Sequence, residues 1–121
     1  MLKRSAIPEQ QRQDFYLYMD EFHEFATESF VSLLPKARKF HLNLILAHQY
    51  LDQLSCNIQS AIMGNVGTKI VFQLGFQDAK IMAEKFALEI TIDDFVNLLS
   101  FNIYIKLIVS AKALNYKTIG E

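Results

Sequence analysis

Short apolar runs that alternate with segments of helical periodicity constrain the fold of this chain most. The four runs are FYLYM (15–19), LNLILA (42–47), TKIVFQL (68–74) and NIYIKLIV (102–109). Runs of this length, bounded by polar residues or glycine, are typical of strands. Strands separated by helices predict parallel crossover units, and therefore an α/β layered domain. We expect the first run, which is apolar throughout, to be a strand buried on both faces.

Capping and breaking residues indicate where the helices begin and end. Thr27 stands before a helical pattern and is a favourable N-cap. Pro35 lies inside the same pattern, which predicts a kink or a broken turn there. Asp78 and the pair Asp93-Asp94 are expected to begin two later helices, whereas the tail from Ser110 has a mixed pattern.

Length and composition exclude several classes of protein. With 121 residues, 51% of them hydrophobic, the chain is long and apolar enough for one folded domain and is not a disordered tail. We expect a polar lead-in over 1–14 and a single domain over 15–121. A net charge of −1 argues against a protein that coats DNA through charge alone. One cysteine excludes an internal disulfide, and every apolar stretch is far shorter than the ~20 residues that span a bilayer.

Candidate site residues follow the first two runs. The carboxylates of Asp20 and Glu21 come directly after the first run, and His48 and Gln49 come after the second. Ligands of open α/β sheets bind at the carboxyl ends of the strands. In phosphoryl-transfer ATPases, one carboxylate helps to hold Mg²⁺ while another polarises the attacking water. The carboxylate pair alone is more typical of a solvated turn or a helix cap, and adding His48-Gln49 leaves the two interpretations evenly balanced.

Other polar residues carry weaker signals. Spacing favours Arg38 as a cation at a helix C-terminus over an arginine finger. His23 with Asp20 and Glu24 matches no metal-binding motif, and a surface or hydrogen-bonded histidine is the favoured interpretation. The sequence contains no GxxxxGK[ST] segment, so it lacks the loop that grips the phosphates in P-loop ATPases.

Three segments, in this order and spacing, resemble the HerA/FtsK-like motor ATPases, in particular the conjugative coupling proteins of type IV secretion (the TraG/TraD group). They are DFYLYMDEFHEFAT, LLPKARKFHLNLILAHQYLDQL and GNVGTKIVFQLGFQDA, and the resemblance runs from about Arg12 to about Leu107. It implies an incomplete three-layer RecA-like parallel sheet with flanking helices. The phosphate-binding loop (Walker A) is expected to lie N-terminal to residue 1, so the chain would be the C-terminal, Walker B part of the ATPase domain.

The resemblance also implies roles for residues and partners. Asp20 matches the Mg²⁺-associated Walker B aspartate and Glu21 the catalytic glutamate. Gln49 matches the polar sensor that, with these two carboxylates, contacts the nucleotide, and Arg38 matches an arginine finger acting on a neighbouring subunit. The intact protein is expected to use ATP and Mg²⁺, to form a hexamer, to move DNA and to meet type IV secretion or membrane partners. Its location would be cytoplasmic, in a bacterium or archaeon, at the inner membrane.

Two alternatives stay open. The chain is either a catalytic part of such a motor or a non-catalytic α/β module that associates with itself. If it is part of a motor, the cargo is either DNA or, as in secretion-energising ATPases, protein. In every case we expect the chain alone to bind nucleotide weakly and to lack ATPase activity, because phosphoryl transfer depends on preorganised positioning.

Overall fold

A computed structural model describes residues 6–86, 89–109 and 112–119, with side chains up to residue 107. The chain divides into two compact units, Met1–Asn65 and Val66–Glu121. No helix among the described residues is long and apolar enough to cross a bilayer.

A parallel strand pair organises the first unit. Strand β1 (Phe15–Met19) and strand β2 (Leu42–Leu46) run parallel, with Phe15 opposite Leu42 and Met19 opposite Leu46. Helix α1 (Glu28–Leu33) lies between the two strands in sequence, so the crossover unit predicted for the first two runs is confirmed. Helix α2 (Cys56–Asn65) follows β2, and short 3₁₀ turns fill the connections: Glu9–Gln11, Phe22–Phe25, Leu34–Lys36, Arg38–Phe40 and Leu51–Gln53.

The predicted signals at both ends of α1 are confirmed. The hydroxyl oxygen of Thr27 accepts a hydrogen bond from the backbone N–H of Phe30 at 3.2 Å, as an N-cap does. At the other end, α1 stops at Leu33 and the chain continues through a 3₁₀ turn that contains Pro35. Proline has no N–H to donate and its ring clashes with the preceding turn, which accounts for the break.

The predicted burial of β1 is wrong. Phe15, Tyr16 and Tyr18 have exposed fractions of 51%, 57% and 73%, and only Met19 is partly buried. Within the described residues, β1 belongs to a two-stranded sheet with β2 as its neighbour. The apolar sequence of β1 is typical of a strand that is buried on both faces, but the described residues do not pack over these aromatic side chains. The core of this unit lies elsewhere, around six buried residues: Phe22, Leu34, Ala37, Leu54, Ile58 and Ile62.

An antiparallel sheet organises the second unit. Strand β3 (Lys69–Val71) pairs antiparallel with β4 (Ile103–Val109), which pairs antiparallel with β5 (Lys112–Ile119). The third run is therefore shorter than the predicted 68–74, and β5 was not predicted. The α/β class is confirmed, but the prediction that the third and fourth runs are also parallel is wrong. Two helices, α3 (Phe76–Lys85) and α4 (Ile92–Val96), lie between β3 and β4, whereas the crossover between two parallel strands usually contains one helix.

Aromatic rings form the centre of the second unit. Phe86 and Phe95 are fully buried and meet edge to face, with 5.4 Å between their centroids. Phe95 meets Tyr104 of β4 in the same way at 5.3 Å. This arrangement is a favourable geometry for aromatic pairs. Thr91 caps α4 through a reciprocal pair of hydrogen bonds with Asp94, the capping-box arrangement.

Candidate functional site

The candidate residues lie where the two parallel strands end. Met19, the last residue of β1, is opposite Leu46, the last residue of β2. The backbone pairing continues past the strands, because Ala47 N–H donates to Met19 C=O at 2.9 Å and Phe22 N–H donates to Ala47 C=O at 3.3 Å. The segments that carry Asp20-Glu21 and His48-Gln49 are thereby held side by side.

A hydrogen bond joins the two segments. Nε2 of Gln49 donates to Oε1 of Glu21, residues that are 28 positions apart in sequence. Oδ1 of Asp20 accepts a hydrogen bond from the backbone N–H of Glu21 at 2.9 Å, so the carboxylate of Asp20 lies next to this contact. The structure thus brings together three of the four residues singled out from the sequence: Asp20, Glu21 and Gln49.

Glu21 has an unusual backbone conformation. Its φ is 48°, in the left-handed region, at the start of the 3₁₀ turn Phe22–Phe25. A side chain with a Cβ rarely adopts this region, which costs on the order of 1–3 kcal/mol. Strained positions of this kind occur preferentially at functional sites.

Two histidines adjoin the carboxylate of Glu21. Nδ1 of His23 lies 3.4 Å from Oε2 of Glu21, and the rings of His23 and His48 are 5.1 Å apart between centroids. One ligand atom from each of Glu21, His23 and His48 lies within 4.8 Å of the others. Sequence reasoning set His23 beside Asp20 and Glu24, and did not connect it with His48. The strand-end rule that linked Gln49 to Glu21 brings His48 to the same edge, but the position of His23 depends on the path of the Phe22–Phe25 turn.

Arg38 stands apart from this group in its contacts. It is exposed, and it begins the 3₁₀ turn Arg38–Phe40 that leads toward β2. Its carbonyl accepts a hydrogen bond from His41 N–H at 3.0 Å. Within the part of the chain that the structure describes, its guanidinium makes neither a hydrogen bond nor an ion pair.

The chemistry of the oxygen donors suits a hard divalent cation. Asp20 is exposed, and one hydrogen bond to Oδ1 leaves lone pairs of its carboxylate available. Mg²⁺ prefers such oxygens and keeps several of its waters, so it is usually held by one or two carboxylates together with substrate phosphates. Asp20 therefore fits a Mg²⁺ ion, and the carboxylate of Glu21, steadied by Gln49, fits the orientation of a water molecule.

Comparison with solved structures finds this fold in a plasmid coupling protein, in VirB4 and in a genome packaging NTPase. The chain matches the plasmid coupling protein TrwB in complex with the ATP analogue ADPNP, with a TM-score of 0.70 and 16% identity, over 99% of this chain and 34% of that one. It matches VirB4 of Thermoanaerobacter pseudethanolicus with a TM-score of 0.62 and 15% identity, over 99% and 35% of the two chains.

A third match is the genome packaging NTPase B204 from Sulfolobus turreted icosahedral virus 2 in complex with ATP-gammaS. Its TM-score is 0.63 and its identity 17%, over 86% of this chain and 52% of that one. No protein-family model matches the chain, and no curated protein sequence matches it.

These likenesses define the fold. The chain has the α/β fold of RecA-like P-loop ATPases, in agreement with the fold class predicted from the sequence. The resemblance to conjugative coupling proteins is likewise confirmed at the level of the fold. The chain spans about a third of the length of the coupling-protein and VirB4 structures that it matches.

Proposed function

We propose that this chain is the Walker B part of an ATP-driven motor of the conjugative coupling type, with residues 15–121 forming the C-terminal part of its ATPase domain. One observation carries the proposal: Gln49 donates a hydrogen bond to Glu21 at the joined carboxyl ends of two parallel strands, with Asp20 beside them. The fold likeness to TrwB bound to an ATP analogue supports it. The segment that grips the phosphates belongs, on this proposal, to sequence preceding residue 1.

The proposed mechanism assigns one task to each side chain. Asp20 would hold a Mg²⁺ ion bound with ATP, and the ion would supply positive charge that neutralises the phosphate oxygens. Glu21 orients the attacking water and accepts its proton, as a general base does. Gln49 keeps the Glu21 carboxylate in place and couples its position to the γ-phosphate.

Arg38 is proposed to act on a neighbouring subunit. Its exposure and its lack of side-chain partners among the described residues leave the guanidinium available for a phosphate outside its own chain. An arginine supplied by a neighbour stabilises charge in the transition state of phosphoryl transfer. Following the resemblance to the coupling proteins, we further propose a ring of subunits, a hexamer, that works on DNA at the cytoplasmic face of a membrane.

The decisive experiment extends the chain. The coding sequence before residue 1 is read for an in-frame GxxxxGK[ST] after an apolar strand, and the longer protein is purified. We expect Mg²⁺-dependent ATP hydrolysis that falls by about 100-fold or more in Glu21→Gln, the range set by loss of a general base. Glu24→Gln, which removes an exposed carboxylate three residues away, is the matched control and should retain the activity.

Two outcomes would contradict the proposal. One is hydrolysis by the longer protein that survives Glu21→Gln unchanged. The other is Mg²⁺-dependent turnover by the 121-residue chain alone that disappears with Glu21→Gln, because the chain would then need no additional phosphate-binding loop.

The cargo is distinguished by a second assay. The fold likeness extends to VirB4 and to a genome packaging NTPase as well as to TrwB, so it is shared by proteins with different tasks. We propose DNA, following the resemblance to the coupling proteins. Stimulation of ATP hydrolysis by double-stranded DNA is the expected result, whereas hydrolysis indifferent to DNA favours a motor that moves protein.

A non-catalytic, self-associating module is the second candidate function. The observation that favours it is the exposure of aromatic side chains along β1. Such a patch is a potential contact surface between copies of the chain.

A further inference from the structure

We propose that Glu21, His23 and His48 form a Zn²⁺ site. It is separate from the Mg²⁺ site proposed at Asp20, and its existence does not depend on ATP hydrolysis. Three observations support this inference: the separation of the ligand atoms, the lack of hydrogen-bond partners for the buried nitrogens of His23 and His48 among the described residues, and the chemistry of the donor set.

The ligand atoms are already close to one another. Nδ1 of His23 and Oε2 of Glu21 are 3.4 Å apart. Two ligands of a tetrahedral Zn²⁺ ion, each about 2 Å from the metal, are separated by about 3.3 Å. One ligand atom from each of the three residues lies within 4.8 Å of the other two, so closing the site requires side-chain adjustments on the order of an ångström.

The nitrogens of His48 lack hydrogen-bond partners among the described residues. Both Nδ1 and Nε2 are buried. Nδ1 of His23 is also buried, and its contact with Glu21 has the distance of an ion pair without the alignment of a hydrogen bond. A buried polar atom left without a partner costs about 1–3 kcal/mol. Coordination of a metal by one nitrogen of each ring removes part of this cost.

The surroundings hold the ligands in position. The ring of His48 meets Phe22 at 5.0 Å in an edge-on arrangement, and Phe22 is buried in the core of the first unit. Gln49 donates to the second oxygen of the Glu21 carboxylate, which leaves Oε2 to face His23. Partners of this kind orient metal ligands and raise the affinity of a site.

The donor set selects Zn²⁺ over Mg²⁺. Two imidazoles and one carboxylate are a known ligand set for Zn²⁺ with a fourth, open position. Mg²⁺ prefers oxygen ligands alone and does not favour a site of this composition. With neutral histidines the set carries one negative charge, which a divalent cation more than offsets.

Occupation of the site would engage the residue that the motor uses. A Zn²⁺ ion held by Glu21 withdraws its carboxylate from the attacking water, so Zn²⁺ would inhibit hydrolysis. This consequence rests on the proposed function, whereas the binding site itself does not.

The test measures binding of Zn²⁺ alone to the 121-residue chain, by calorimetry and by competition with a chelating dye, in a Cys56→Ser background because Cys56 is an exposed thiol. We expect one bound ion per chain, undisturbed by excess Mg²⁺. His23→Gln and His48→Gln should each weaken binding by about 100-fold or more, because loss of an outer partner alone costs 10–100-fold. Co²⁺ in place of Zn²⁺ should give the visible absorption of a low-symmetry site, and both variants should lose it.

His41→Asn is the matched control. His41 pairs with Asp14 at 3.1 Å outside the cluster, and asparagine tolerates the left-handed backbone of that position (φ 53°). Binding should be unchanged in this variant. Retention of the ion by the His23→Gln, His48→Gln double variant, or equal loss in His41→Asn, would overturn the proposal.

Circular dichroism establishes that each variant is folded. Should His48→Gln unfold, the decision falls to His23→Gln, whose side chain is partly exposed and better tolerates replacement. Failure of Zn²⁺ binding leaves the ATPase proposal untouched, and failure of ATP hydrolysis leaves the binding result untouched.

Discussion

Lys69 and Lys106 lie directly opposite each other across the antiparallel pair of β3 and β4. Nζ of Lys69 donates to the carbonyl of Val66 at 2.6 Å, whereas Nζ of Lys106 donates to the carbonyl of Lys85. Burial, and after it the positive charge of Lys106, lower the pKa of Lys69 below its ordinary value of 10.5. Folding therefore destabilises the charged form of Lys69 relative to its neutral form.

Replacing that cation should stabilise the protein. Between the lowered pKa and 10.5, the unfolded chain binds more protons at Lys69 than the folded chain, so wild-type stability rises with pH in that window. We expect Lys69→Met to raise the free energy of unfolding by about 0.5 kcal/mol at pH 7, the scale of a cross-strand pair. The gain should fade as the pH rises through this window, measured by urea unfolding.

Lys80→Met provides the comparison, because Lys80 is exposed on α3. It should change stability little at any pH. A gain from Lys69→Met that stays constant with pH would show that packing, rather than charge, is responsible.

The capping box of α4 should contribute measurably to stability. Thr91 Oγ1 accepts the N–H of Asp94 at 3.2 Å, and Oδ2 of Asp94 accepts the N–H of Thr91 at 2.8 Å. We expect Thr91→Ala to lower the free energy of unfolding by about 1 kcal/mol, measured by urea unfolding. Thr91→Ser keeps the hydroxyl and should recover most of the loss; equal losses in both variants would remove the cap as the explanation.

Gln49 should affect catalysis more than nucleotide binding. In the longer protein, we expect Gln49→Ala to lower kcat for ATP by about tenfold or more with little change in KM, because the Glu21 carboxylate loses its hydrogen bond. Steady-state kinetics at saturating Mg²⁺ measure the two constants. Gln53→Ala, at an exposed glutamine, is the control. A rise in KM at constant kcat would instead assign Gln49 to uniform binding of ATP.

The exposed aromatic side chains of β1 lead us to expect self-association of the 121-residue chain. If Tyr16 and Tyr18 of β1 join copies of the chain, its apparent mass should increase with concentration in light scattering and should not respond to ATP. The double variant Tyr16→Ser, Tyr18→Ser should shift this increase to at least tenfold higher concentration. Tyr50→Ser, at an exposed tyrosine outside β1, should not. A concentration-independent monomer would leave the self-association hypothesis without support.

Local signals in the sequence predicted local structure well. Thr27 and Pro35 marked both ends of α1, because a hydroxyl at an N-cap and a missing N–H act within one turn of the chain. The strand-end rule also placed Glu21 near Gln49, because parallel strands bring their carboxyl ends to the same edge.

Non-local features were missed for physical reasons. β4 follows a connection that contains two helices, to which the crossover rule for a single helix does not apply. β5 was not predicted because the sequence between Val109 and Lys112 is Ser-Ala, which lacks the glycine or asparagine that signals a hairpin turn. The meeting of His23 with His48 depends on the path of the Phe22–Phe25 turn, which no periodicity encodes.

The left-handed backbone at Glu21 is unfavourable for glutamate, although the proposed chemistry requires a carboxylate at this position. Glycine adopts a φ of 48° without steric cost, and asparagine does so more readily than glutamate. Glutamate at this position therefore has a conformational cost that glycine or asparagine would lower, so selection for stability alone should favour either replacement. If Glu21 is the general base proposed above, glutamate at this position should mark the related sequences that hydrolyse ATP, whereas glycine or asparagine should mark those that keep the fold alone.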